Sequence, residues 1–234
     1  MPAAGRGQRL VRFVLGATVL AALVLAAIMV TLGRGADPPL PSPQVSTGGA
    51  TNCEARRFEG AALTVCRFDA RIDVLTLIQG EADGRPYRTF AAIEQALGES
   101  AAKVRFAMNA GMFDEQGRAI GLFVENGLER RALNRRDGPG NFHLSPNGVF
   151  AQDAAGAVHV TTTERFPSKV PEPHWATQSG PMLVIDGELH PRFDTEGPSR
   201  LIRNGVGVSD PQTAWFVISE EAISFGRFAR FFGE

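Results

Sequence analysis

Four short stretches of this sequence carry side chains that could do chemistry: residues 108–113, 140–144 with 146–150, 176–182 and 203–208. Each sets neutral hydrogen-bonding groups beside glycine at the end of an apolar run. Glycine lets a ligand approach the backbone closely, while Asn, Gln and Ser offer oriented donors and acceptors. Arg203 adds a permanent, forked cation whose geometry suits a phosphate. Asn147-Gly148 reads equally well as a plain turn. Asn109 and Arg203 each adjoin an apolar strand, and they read as site residues.

Other chemistries are absent from the pattern. The histidines His143, His159, His174 and His190 show no HExxH or HxH spacing, so no metal ligand set is assigned. His159 sits in an alternating strand and reads as a surface or core residue. Thr177-Gln178-Ser179-Gly180 lacks the first glycine of a G-x-S-x-G elbow, which argues against a hydrolase serine of that kind. No P-loop or dinucleotide fingerprint is present, and no cofactor is expected; a need for a divalent metal is left open. Asp114, Glu125 and Asp186 are the carboxylates considered as a general base, the last two standing in turns.

The elements that must position these groups are mostly strands. Residues 63–68 and 72–78 are apolar, partly β-branched runs separated by Asp69-Ala70-Arg71, which predicts a hairpin or tight bend. Residues 89–97 have helical spacing, with Thr89 as cap. Residues 104–108 look like a buried strand leading into Asn109. Asn126-Gly127 and Asp186-Gly187 predict hairpins, and Asp210-Pro211 divides two further strands. An amphipathic helix over 220–232 closes the chain. The expected class is α+β: a single domain with a mixed, largely antiparallel sheet and few helices, after an N-terminal transmembrane helix.

That helix is residues 13–32, an uncharged run preceded by Arg6, Arg9 and Arg12 in the basic segment 1–12. At about 1.5 Å per residue it spans roughly 30 Å, the thickness of a bilayer's hydrocarbon core. An uncleaved anchor is favoured over a cleaved signal, the alternative being secretion. The charge asymmetry in either case puts the rest outside the cytoplasm, periplasmic or at the cell surface. Residues 33–51, rich in Pro and Gly, form a linker, and 52–234 form the domain. With 24 Lys+Arg against 25 Asp+Glu and a formal net charge of −1, nothing indicates a nucleic-acid partner. Cys53 and Cys66 are the two cysteines, and in an oxidising compartment they are expected to pair as a structural disulfide.

Taken together and in order, the four blocks resemble the phosphodiester glycosidase domain family. They are most similar to its bacterial exported branch, related to the enzyme that uncovers N-acetylglucosamine phosphodiesters. The resemblance covers about residue 53 to the end. It rests on Asn109 to Gly111 after a buried strand, Ser179 to Pro181, and Arg203 followed by the small-residue strand to Val208. It implies that Asn109, Ser179 and Arg203 line a pocket with catalytic roles, Arg203 holding phosphate. Gly111, Asn141, Asn147, Gln178, Gly180 and Asn204 would then contact substrate, a small or polymeric phosphoglycan. The family pattern continues past the late helix into a further strand and an Asp-Gly-rich block. The expectation is therefore that a chain ending at Phe232-Gly233-Glu234 is a fragment or a truncated domain. Two functions follow: an exported hydrolase of sugar-1-phosphodiesters, or a non-catalytic envelope module that binds phosphoglycans.

Overall fold

The computed structural model describes residues 52–81, 83–193 and 197–234. The expected anchor and linker, residues 13–51, lie outside them. Among the described residues no helix is long and apolar enough to cross a membrane.

In chain order the strands are β1 (Cys53–Phe58), β2 (Ala61–Asp69), β3 (Phe123–Glu125), β4 (Leu128–Arg131), β5 (Gly148–Asp153), β6 (Val158–Thr162), β7 (Pro173–Ser179), β8 (Val184–Ile185), β9 (Glu188–Leu189), β10 (Asn204–Asp210) and β11 (Thr213–Ser219). The helices are α1 (Phe90–Leu97), α2 (Phe166–Lys169) and α3 (Phe225–Phe232). Two antiparallel sheets result, ordered β1-β2-β11-β10 and β4-β3-β7-β5-β6, with β8-β9 as a separate ribbon. The sheet-rich class with few helices is as expected, and these elements belong to one compact unit. Instead of one mixed sheet there are two, and every strand pair is antiparallel. The reason is local. Asn126-Gly127 and Asp186-Gly187 have positive φ at both positions, 52° and 74°, then 51° and 87°, the backbone of tight hairpins whose twist matches antiparallel strands.

Of the hairpin or tight bend expected between residues 63–68 and 72–78, the bend forms, with Ile72 and Asp73 N–H donating to the Asp69 carbonyl, and the hairpin does not. β2 instead turns back on β1 through Glu59-Gly60 and pairs on its other side with β11. After β2, Asp69 gathers the Arg71 backbone and both arginines Arg67 and Arg71 around its carboxylate, and the chain leaves the sheet. Residues 74–79 and 104–110 are in no assigned strand. Of the predicted buried strand, Phe106 and Met108 pack on the core while Val104 is exposed.

The two sheets close on one apolar layer. Phe68 and Phe216 from the first meet Phe123, Phe150 and Trp175 from the second. Phe150 stands edge-on to Phe216 with centroids 5.6 Å apart. The outer face of the second sheet is covered around α2 by Phe166 and Val170, packed on Val149, Ala151 and Ala176. The outer face of the first is covered by α3, capped by the Ser224 hydroxyl accepting from Arg227 N–H, with Phe228 buried against Leu63, Val65 and Val217. Gly205 makes this approach possible: a Cβ there would lie 3.0 Å from Phe228 and 3.1 Å from Phe232.

Cys53 and Cys66 are bonded, directly opposite each other in the β1–β2 ladder. A closed loop of this length stabilises a domain by about 3 kcal/mol through the chain-entropy effect. Urea unfolding with and without reductant should differ by roughly that amount, with the fold retained on reduction because the ladder survives. A difference below about 0.5 kcal/mol would mean the link is incidental.

Candidate functional site

β7 is the middle strand of the second sheet, and its C-terminal end, Thr177 to Pro181, is where the four polar blocks meet. Gly148 pairs with Ser179 in the β5–β7 ladder. The bond between Gly180 and Pro181 is cis. Gly180 lies so close to the second block that a Cβ would stand 2.6 Å from the Phe142 carbonyl oxygen and 3.0 Å from that of Asn141. From the first block, Gly111 N–H donates to Thr177 Oγ1 at 2.9 Å. From the fourth, Asn204 Nδ2 donates to the Asn109 carbonyl at 3.1 Å.

A large open cavity of about 1910 Å³ runs past this junction, with Asn109, Gly111, Thr177, Ser179, Gly180 and Asn204 on its wall. Its lining also includes the aromatic side chains Trp215 and Phe225. Neutral donors and aromatic side chains lining one cavity are compatible with a sugar ring, whose hydroxyls need partners and whose C–H faces prefer apolar contact.

The other predicted residues are placed differently. Gln178 is 1% exposed and its amide is fully engaged: Oε1 accepts from Leu122 N–H (3.0 Å) and Asn134 N–H (2.9 Å), and Nε2 donates to the Asn134 carbonyl (2.7 Å) and Thr163 Oγ1 (3.0 Å). Asn147 continues this buried network, its Nδ2 donating to the Phe142 carbonyl (2.9 Å) and its Oδ1 accepting from Thr163 Oγ1 (2.6 Å). Asn141 is exposed at the start of a short 3-10 turn. Gln178 and Asn147 thus shape the site from behind.

Arg203 is 7% exposed and lies behind the cavity wall. Its Nε donates to the Ile223 carbonyl (2.9 Å), its Nη2 donates to the Ser199 carbonyl (2.9 Å), and its Cζ sits 3.5 Å above the Phe225 ring centroid. Burial lowers its pKa from the usual guanidinium value. Hydrogen bonding to carbonyls and stacking on a ring hold the cation without a carboxylate within ion-pair distance among the described residues.

The carboxylates considered as bases are engaged elsewhere. Asp114 is held below the usual carboxylate range by the backbone N–H and guanidinium of Arg118. Glu125 faces Arg130 at 3.6 Å. Asp186 lines the cavity but accepts from Arg165 at 2.8 Å. Asp73, not singled out from the sequence, also lines the cavity and accepts from Asp69 N–H at 2.9 Å. His159 is bonded to Asp153 at 2.8 Å. Among the described residues no group of three or more His, Cys, Asp and Glu side chains is arranged to hold a metal ion. Thr177, Thr163 and Phe225 also escaped the sequence reading; Thr177 stands inside a recognised block, while the other two gave no local signal.

The domain is thus β-rich and antiparallel, with polar glycine blocks gathered near one strand end. A family model for phosphodiester glycosidases matches residues 102–233, and the chain belongs to that family. It is also 39% identical over 151 residues to YigE of Escherichia coli (strain K12), a protein described as uncharacterized. That match covers 64% of this chain and 58% of the relative's length.

Proposed function

We propose that this domain hydrolyses sugar-1-phosphodiesters outside the cytoplasm, tethered through residues 13–32. The observation that carries the reading is that the first and second polar blocks meet the third at the end of β7 while the fourth joins them through Asn109, in a chain of this family. In the proposed reaction, water adds to the anomeric carbon and the bond from that carbon to the phosphate oxygen breaks. The products are a free sugar and a phosphate monoester. The phosphate is already a competent leaving group, so the main demand is on stabilising an oxocarbenium-like transition state and orienting the water. Ser179 and the amides of Asn109 and Asn204 orient sugar and phosphate oxygens. Arg203 acts from behind Phe225, setting the backbone of Asn204 and adding a positive field next to the anion.

The test is phosphorus NMR of the purified protein with defined sugar-1-phosphodiesters of both anomeric configurations. Appearance of the monoester signal together with reducing sugar supports hydrolysis. Arg203→Ala should then lower kcat/KM by at least about tenfold, through misplacement of Asn204. Unchanged turnover in that variant would remove Arg203 from the mechanism.

A second reading, an envelope module that binds phosphoglycans without cleaving them, is favoured by one observation: two carboxylates on the cavity wall, Asp73 and Asp186, are already hydrogen-bonded to protein groups. Calorimetric binding of the same diesters with no product over many hours would select it.

A further inference from the structure

A column of four stacked groups runs from His190 to Arg203. His190, only 2% exposed, stacks on Phe193 with centroids 4.7 Å apart and planes at 25°. Phe193 stacks on Phe225 at 5.3 Å and 10°, and the Arg203 guanidinium caps Phe225 at 3.5 Å. His190 also reaches two other blocks. Its backbone N–H donates to the Leu183 carbonyl at 3.0 Å, just past Gly180-Pro181-Met182, while Met182 N–H in turn donates to the Pro146 carbonyl at 3.1 Å. The ring points towards the Ser145 carbonyl without meeting hydrogen-bond geometry. Its Nδ1 accepts from Arg192 N–H at 3.2 Å, which places the ring proton of the neutral form on Nε2; that buried Nε2 has no hydrogen-bond partner.

We propose that His190 is a proton-sensitive joint of the site: as neutral imidazole it holds the segments around Ser145, Leu183 and Arg203 together, and protonation releases them. It is a positioning residue, and this role rests on the reading of the site given above. Burial and the charge of Arg192 outweigh the backbone carbonyls of Ser145 and His190, which favour the protonated ring. Arg192 in the same loop is the charged neighbour that acts on the ring, and Arg203 caps the far end of the column. The groups that face the ring from the other elements, Ser145, Leu183 and Phe193, bring no charge. A protonated ring would therefore be a desolvated cation added to a column that already ends in one.

Burial pushes the His190 pKa below its ordinary value, with Arg192 adding to the effect. The unfolded or opened chain therefore binds the proton first. Stability from this group is complete above about pH 6.5 and falls as pH drops through that value towards the lower, folded one.

The experiment is amide hydrogen exchange over residues 144–148 and 180–185 at pH 7.5 and 5, corrected for intrinsic rates, in the wild type and in His190→Phe. The variant keeps the stack and removes the titration. Exchange at pH 5 should rise in the wild type, by up to about tenfold for each unit between the two pKa values, and should not rise in the variant. No rise in the wild type, or an equal rise in both proteins, overturns the proposal. If the variant does not fold, imidazole NMR titration of the wild type decides. A His190 resonance that titrates at or above about pH 6.5 overturns the proposal, and one that stays neutral to lower pH, with local exchange rising as it titrates, supports it. None of these readouts uses a substrate, so absence of turnover leaves the test intact.

Discussion

Gln178→Leu is expected to destabilise the domain by on the order of 4 kcal/mol, although leucine is close to glutamine in size and the site is already buried. Three groups depend on this one amide: the N–H groups of Leu122 and Asn134 and the Asn134 carbonyl, whereas the Thr163 hydroxyl keeps its bond to Asn147 Oδ1. Substitution leaves them facing an apolar chain, and each stranded polar group costs about 1–3 kcal/mol. Part of that is recovered as Asn134 swings towards water, which is why the sum falls short of three full penalties. The loss should appear as a lower urea midpoint with an unchanged slope. A change below about 1 kcal/mol would mean that the residue 134 loop is not bound to the core through Gln178.

Gly111→Ala should abolish at least about 99% of whatever binding or turnover the site supports, because displacing a positioned group by about 1 Å costs roughly a hundredfold. The added methyl would stand 2.3 Å from Thr177 Oγ1 and 2.4 Å from the Gln178 carbonyl oxygen. Thr177 can rotate away, but the Gln178 carbonyl belongs to the central strand of a five-stranded sheet and cannot give. The strand keeps its place and the 109–111 segment must lift. That breaks the Gly111–Thr177 hydrogen bond and pulls the Asn109 carbonyl from Asn204. Calorimetry with the diester that binds the wild type measures the effect. Binding within threefold of the wild type would show that this segment is not part of the site.

Much of the fold was legible because its turns are local chemistry. Asn-Gly and Asp-Gly announce positive φ at consecutive residues, and the Thr89 cap announces a helix start; both stand in the structure. What spacing cannot state is which long-range partner a strand will take. β2 pairs with β1 and β11, and no local feature of residues 61–69 encodes β11, some 150 residues away. The site shows a subtler limit. The four glycine-bearing blocks of the candidate site were readable, yet the direction of individual side chains was not drawn from them. The parity of β7 holds that information. Thr177 and Ser179 share one face and line the cavity, so Gln178 between them must point the other way. Arg203 and Asn204 divide in the same fashion. Which of the two faces becomes the interior depends on packing from elsewhere in the chain.

The bond between Cys53 and Cys66 also decides how the domain meets mechanical load. Tension arriving from the N-terminal side reaches Cys53 first and crosses the covalent link to Cys66, so residues 54–65 and the outer strand they contain feel none of it. The pull is delivered to the last part of β2, which is paired on one flank with β11. Peeling a single edge strand, the weak way to open a sheet, is thereby unavailable to a force from that direction. The domain must instead yield by drawing an interior strand past its neighbour, rupturing several backbone hydrogen bonds together.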